Sequence, residues 1–273
     1  MVRRRESKAD HPASAPPPGR CNRKPLLAAS LAVAAIAAAV AACSAAAPEP
    51  IAAPAPVAAP RPGLAADRFP KPERPVAGTI SDQWMNEDSR ERAGEAAKVM
   101  DLLGVRPGMA VADIGAGAGY YVGRLSRRVG PAGLVMAQDI ERKYLDRLRQ
   151  RVSREGLANV TLVLGEAHDP RLPPRSVDLA LLVHMYHEIA QPFGLLHNLA
   201  PSMRPGGRVA ILDTDGPVRA HGTPRALLSC ELAAVGYREA AWHWIEGRSV
   251  YLAVFEPPAQ LPEPERIQPC GVR

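Results

Sequence analysis

Residues 111–121 read Val-Ala-Asp-Ile-Gly-Ala-Gly-Ala-Gly-Tyr-Tyr. A short apolar run ending in Gly115, Gly117 and Gly119 is the texture of a buried strand that turns sharply into a helix. Glycine there lets the backbone bend tightly and approach a ligand with no Cβ in the way. Working outward, the chain alternates strand and helix. AVADI (110–114), LVMAQ (134–138), VTLVL (160–164), VDLALLV (177–183) and RVAILD (208–213) are near-continuous apolar runs. Between them, 120–129, 142–155 and most of 189–203 carry helical periodicity, and 224–235 is a further helix. Upstream, 87–103 predicts one helix, with Ala93, Ala96, Ala97, Met100 and Leu103 on its inner stripe. The last two strands, 238–245 and 249–256, have no helix between them and predict a hairpin around Glu246-Gly247. Strands buried on both faces argue for a parallel sheet between helix layers. The expected fold is α/β: a doubly wound, mostly parallel, seven-stranded sheet with an antiparallel last strand.

Such a sheet binds its ligand at the carboxyl ends of its strands, near the point where strand order reverses. Three acidic positions fall there. Asp113 sits just before the glycine loop. Asp139 ends the second strand, 22 residues after Gly117, where a carboxylate can accept both hydroxyls of a ribose. Gly165-Glu166-Ala167-His168-Asp169 follows the third strand and places acids where an adenine amino group is read. The loop is not a P-loop, because Gly-Lys-Ser/Thr is absent. It is not a full G-x-G-x-x-G dinucleotide fingerprint either, because Tyr120 stands at the last position.

Over roughly residues 80–257 the chain resembles the class I S-adenosylmethionine-dependent methyltransferases. VADIGAGAG looks like their glycine motif, VMAQDIE like the segment with the ribose-binding acid, GEAHDPRLPPRSVDLALL like the stretch leading into strand four, and MRPGGRVAILD like the approach to strand five. The resemblance implies S-adenosylmethionine as cofactor and a Rossmann-like methyltransferase fold. Gly115, Gly117 and Gly119 would then pack against the methionine part and Asp113 would hold its amino group. Asp139 would take the ribose hydroxyls, and Glu166, with Ala167 beside it, the adenine, with Asp169 a competitor for that role. It is most similar to a group of predicted bacterial methyltransferases with Tyr-His-Glu after strand four.

That segment, Val183-His184-Met185-Tyr186-His187-Glu188, lies where an acceptor would meet the methyl group. His187 is the candidate base or orienting group, since a neutral imidazole titrates near pH 7. Tyr186 is a candidate partner, Glu188 can orient the ring, and His184 lines the cofactor pocket. His197, His221 and His243 are expected on the surface or in packing. His168-Asp169 and His187-Glu188 lack the spacing of a zinc site, so no metal is expected. Cys230 and Cys270 either pair, tying the Pro-rich tail (258–273) to the penultimate helix, or remain a buried and a free thiol.

The N-terminus reads as an address. Residues 26–42, LLAASLAVAAIAAAVAA, are uncharged and follow Arg20, Arg23 and Lys24, the order of an export signal. Val40-Ala41-Ala42-Cys43 resembles a lipobox. The expected organisation is a signal peptide (1–42), lipidated Cys43 with an Ala/Pro-rich tether (43–78), a methyltransferase domain (79–257) and the tail. Fourteen of the 29 prolines lie before residue 76, which is why a tether is expected. The chain is then an exported lipoprotein, anchored to the membrane through Cys43 and facing the periplasm or cell exterior. It is cytoplasmic if the start site or signal is misread.

The formal charge of +6 on 273 residues is concentrated at this end: without residues 1–42 there remain 27 basic and 26 acidic side chains. There is thus no basic stripe for nucleic acid, and the acceptor is expected to be a small molecule. Trp84 and Met85 are candidates for a small lid. Two other functions remain open: a non-catalytic exported lipoprotein that keeps the fold, and an NAD-dependent oxidoreductase, which Tyr120 and the lack of a second domain disfavour.

Overall fold

In the computed structural model the described residues are 59, 62–78, 87–247 and 249–271, with the side chain of residue 246 left aside. The expected signal peptide, Cys43, Trp84 and Met85 lie outside them. Six α-helices and seven strands are described: α1 (Glu87–Arg92), α2 (Glu95–Leu102), β1 (Ala110–Ile114), α3 (Tyr120–Val129), β2 (Leu134–Asp139), α4 (Arg142–Glu155), β3 (Val160–Leu164), β4 (Val177–Val183), α5 (Pro192–Leu199), β5 (Met203–Thr214), α6 (Arg225–Ala234), β6 (Arg238–Glu246) and β7 (Val250–Glu256).

The strands form one sheet in the order β3-β2-β1-β4-β5-β7-β6. The first five are parallel, while β7 runs antiparallel to both β5 and β6. Burial on both faces explains the unbroken apolar runs. Val111, Leu179, Leu181, Ala210 and Leu212 point to the side covered by α2 and α3. Ala112, Ile114, Ala180, Leu182 and Ile211 point to the side covered by α5 and α6. Strand order reverses between β1 and β4, so the crevice for a ligand opens at the carboxyl ends of that pair.

Three local expectations are corrected. The helix predicted over 87–103 is two helices, because Gly94 takes a left-handed conformation (φ 65°) between them. Its inner stripe is Ala96, Val99, Met100 and Leu103, whereas Ala93 and Ala97 are exposed. The helix expected over most of 189–203 is shorter, Pro192–Leu199, and starts at Pro192, where its missing N–H leaves no hydrogen bond unmade. The strand expected over 208–213 is longer: β5 begins at Met203, runs through Pro205-Gly206-Gly207 and slips register against β4 between Val177 and Leu179.

Residues 62–78, expected as the end of a tether, lie against the domain. Gly63 N–H donates to Asp169 (2.8 Å) and Leu64 N–H to Asn198 (2.9 Å). Phe69 is buried beside the His197 ring. Arg74 forms an ion pair with Glu231 of α6 at 2.8 Å, both side chains fully inaccessible. The tail is docked too, through buried Ile267 and a Cys230–Cys270 disulfide. Among the described residues no helix is long and apolar enough to cross a membrane.

Candidate active site

The carboxyl edge of β1, β2 and β4 walls a cavity of about 230 Å3. Most of the residues singled out from the sequence line it: Asp113, Gly115, Gly117, Asp139, Glu166, Ala167, His184 and His187. Gly119 is not on its wall. It turns the loop into α3 at φ 85°, a conformation that strains any residue with a Cβ, and an added Cβ would also push on the Leu148 tip of α4 at 2.4 Å. Gly115 is constrained in the same way by its φ of 69°, and a Cβ there would lie 2.8 Å from the movable Met185 Cε.

The loop is held open by the strand next to it. Asp139 accepts Gly117 N–H (2.8 Å) through one carboxylate oxygen and Glu141 N–H (2.8 Å) through the other. Gln138, which the sequence reading passed over, accepts Gly115 N–H at 3.3 Å. Burial pushes the Asp139 carboxyl up from the usual range, and the backbone donors of Glu141, Gly117 and Ile140 oppose that rise. Asp113 is more extreme. It is 3% exposed, and burial raises its carboxyl to about 7, with Arg90 acting against the shift and Asp139 adding to it. A carboxylate this poorly solvated at the rim of a cleft is a strong partner for a cationic ligand group.

Glu166 is on the cavity wall, ion-paired with Arg171 and 3.5 Å from His168 Nε2. Asp169, its competitor, is committed elsewhere: one oxygen accepts Gly63 N–H and the other Arg171 N–H, at 2.8 Å each. His184 has a left-handed backbone (φ 50°). Its Nε2 lies 3.4 Å from the Glu95 carboxylate, which Arg90 also grips at 2.6 Å and the Tyr121 hydroxyl at 3.0 Å. Burial alone would raise Glu95, but the His184 and Arg90 contacts outweigh it and bring it down to about 2. These partners fix α2 and the His184 loop on the same side of the cavity.

His187 sits in a 3-10 turn (Tyr186–Glu188) after β4 and is buried. Its orienting partner is Asp213, not Tyr186. Nδ1 lies 3.0 and 3.1 Å from the two Asp213 oxygens. Asp213 in turn accepts the Thr223 hydroxyl at 2.7 Å and Thr214 N–H at 2.9 Å. An Nδ1–H donated to Asp213 leaves Nε2 as the acceptor. Tyr186 is fully buried in the core beneath the Arg74 guanidinium, 5.6 Å from its ring, and does not reach the cavity. Arg74 also donates to the carbonyls of Tyr186 (3.4 Å) and Ile189 (3.3 Å), and Ala77 N–H donates to the His187 carbonyl (3.0 Å). The docked N-terminal segment therefore braces the turn that carries His187.

The same rule that found Asp113 and Asp139 would have found Asp213, the acid closing the apolar run of β5. His221, expected on the surface or in packing, stacks edge-on against His187 with ring centroids 5.5 Å apart. No spacing signal links two histidines 34 positions apart.

Residues 111–207 match the methyltransferase domain family. The chain is 32% identical over 122 residues to the ubiquinone/menaquinone biosynthesis C-methyltransferase UbiE of Idiomarina loihiensis, covering 44% of this chain and 49% of that one. It is 29% identical over 123 residues to the nocamycin O-methyltransferase of Saccharothrix syringae, covering 45% and 43%. Thus it spans less than half the length of these curated relatives. A solved methyltransferase from Aquifex aeolicus superposes with a TM-score of 0.55 at 24% identity, covering 63% of this chain and 98% of that one. The superposition bears out the expected fold. The family match and the curated relatives support a methyltransferase domain, and the matched residues 111–207 include the glycine loop that walls the cavity.

Proposed function

We propose that the chain binds S-adenosylmethionine in this cleft and methylates a small-molecule acceptor at the carboxyl edge of the sheet. The observation that carries the reading is the convergence of the glycine loop, Asp113, Asp139 and Glu166 on one cavity within a matched methyltransferase domain. The residues fit the group. Asp113, raised by burial, suits an ammonium. Asp139 keeps lone pairs for ribose hydroxyls beyond its two backbone donors, and Glu166 with Ala167 suits an adenine edge.

When bound, S-adenosylmethionine supplies a methyl group on a sulfonium, already activated toward a nucleophile. What remains for the protein is alignment and exclusion of water, plus removal of a proton where the acceptor carries one. Asp213 holds the His187 ring so that Nε2 can take that proton, and Thr223 and Thr214 hold Asp213. The small-molecule acceptor is supported by the near-neutral domain and by relatives named as a ubiquinone/menaquinone biosynthesis C-methyltransferase and a nocamycin O-methyltransferase.

Calorimetric titration of the full chain with S-adenosylmethionine, and separately with NAD, tests the reading. Binding of the first and not the second is expected. Asp139→Ala should weaken that binding by ~1.5–3 kcal/mol, the worth of hydrogen bonds to a charged group. NAD binding in place of S-adenosylmethionine would overturn the proposal, and unchanged affinity in Asp139→Ala would remove the ribose assignment.

A further inference from the structure

We infer that His187, Glu188 and His221 form a binding site for a divalent transition cation of the zinc type beside the cleft. One donor atom from each residue can be chosen so that all three lie within 4.8 Å of one another. His187 Nε2 is 3.9 Å from Glu188 Oε1. A tetrahedral zinc with bonds near 2.0–2.1 Å holds its donors roughly 3.4 Å apart. Two imidazoles and a carboxylate are a donor set that zinc accepts, with further positions left for an incoming ligand.

Three features of the surroundings support a built site. His187 is oriented by a carboxylate on its other nitrogen, since Asp213 lies 3.0 Å from Nδ1. That is the carboxylate–histidine arrangement that fixes tautomer and direction in metal ligands. Asp213 is itself held by the Thr223 hydroxyl, and Thr223 is pinned in turn by Tyr251, whose hydroxyl donates to the Thr223 carbonyl at 2.9 Å. His221 is presented by a left-handed backbone (φ 57°) closing the 3-10 turn Val218–Ala220. A histidine in that conformation is uncommon and points to a positional requirement. Gly222 next to it is packed so tightly that a Cβ would meet the Thr214 carbonyl at 2.8 Å.

His187 and Glu188 also line the cleft. With Nε2 on the cation the ring no longer takes the acceptor's proton; the cation is placed instead to bind an oxygen donor of whatever acceptor enters and to favour loss of its proton. That use rests on the methyl-transfer reading, but binding of the cation does not. The sequence hid the site because the third ligand comes from the loop after β5, far from the adjacent His187-Glu188 pair.

The test is metal retention by the full chain. The protein is stripped with a chelator, equilibrated with Zn2+, and dialysed. Co2+ is then used as a spectroscopic probe, because its visible bands report a low-coordinate nitrogen and oxygen site. One Zn2+ per chain is expected to survive dialysis. His221→Asn, which keeps a residue tolerant of positive φ, and Glu188→Gln should each lower affinity at least tenfold and bleach the Co2+ bands. Asp213→Asn should lower it 10–100-fold, because the carboxylate that orients the His187 ring and raises its basicity is lost. Thermal midpoints of the stripped variants check that they remain folded.

The inference is overturned if the chain retains neither Zn2+ nor Co2+. It is equally overturned if folded His221→Asn and Glu188→Gln both hold the ion as wild type does, because the ion is then bound elsewhere, for instance at cysteine. The same samples are titrated with S-adenosylmethionine. A chain that binds that cofactor but no cation sinks the metal site alone. A chain whose cation binding depends on His221 but which ignores S-adenosylmethionine supports the metal site and sinks the methyl-transfer reading.

Discussion

Asp113 shows what its proposed binding role costs the fold. Its carboxyl is raised by burial to about 7, against 3.8 for a solvated Asp. A group raised in the folded state contributes stability that is fully present below its unfolded value and is lost as pH rises through its folded one. Wild-type protein should therefore weaken between about pH 4 and 7 on account of this residue. At pH 8 the ionised carboxylate costs the unliganded fold on the order of 4 kcal/mol relative to a neutral group. Asp113→Asn should melt at a higher temperature than wild type at pH 8, with the gap less than half as large at pH 5. The same variant should bind S-adenosylmethionine more weakly at pH 8, because the charge that strains the empty site is the charge that would hold an ammonium. Equal melting of the two proteins at pH 8, or a gap that widens toward acid, would show that Asp113 is better solvated than its burial indicates.

At the scale of elements, the strands were legible because burial on both sheet faces leaves a run of apolar residues with no polar interruption. The acids at their ends were legible because an α/β sheet confines its ligand to one edge. What was not legible depends on contacts distant in sequence. Gly94 splits the first helix through a backbone conformation that periodicity does not register. Asp213 and His187 meet only when β5 lies beside β4. The segment 62–78 reads as tether because its prolines and alanines leave no helix or strand pattern, yet Gly63, Leu64, Phe69 and Arg74 dock it, Arg74 through a buried charge. Arg74 pairs with Glu231 where neither side chain is accessible. Burial pushes Glu231 upward while Arg74 pulls it back. Removing one partner of such a pair leaves an uncompensated buried group and typically costs about 3–5 kcal/mol. Chemical denaturation of Arg74→Ala should show a loss of that size. Arg74→Met combined with Glu231→Leu should recover much of it, since apolar replacement of a buried pair is often close to neutral. Recovery should be incomplete, because the carbonyls of Tyr186 and Ile189 still lose their donor. Full recovery, or no loss in Arg74→Ala, would mean that the segment only lies on the domain without bracing the His187 turn.

At the scale of the whole molecule, both ends of the described chain converge on α6. Arg74 reaches it from the N-terminal side through Glu231, and Cys270 closes on Cys230, one residue earlier. Arg68 and Glu265 join the two end segments directly at 2.5 Å, but on an exposed surface where such a pair is worth little. The covalent link should therefore dominate. It spans 40 residues of sequence, and constraining a loop of that length in the unfolded chain stabilises the fold by about 4 kcal/mol in the chain-entropy model. A bridge of this kind persists in an oxidising compartment. Cys230→Ser and Cys270→Ser should each reduce stability by about 2–4 kcal/mol, and wild type treated with reductant should fall to the same level. S-adenosylmethionine affinity should be unchanged in all of them, because α6 and the tail lie away from the glycine loop and its acids. A serine variant that matches oxidised wild type in denaturant would show that the bridge merely records the docking of the tail. A large loss of cofactor affinity would show instead that tension on α6 reaches the site, through Arg74 and the turn that it holds.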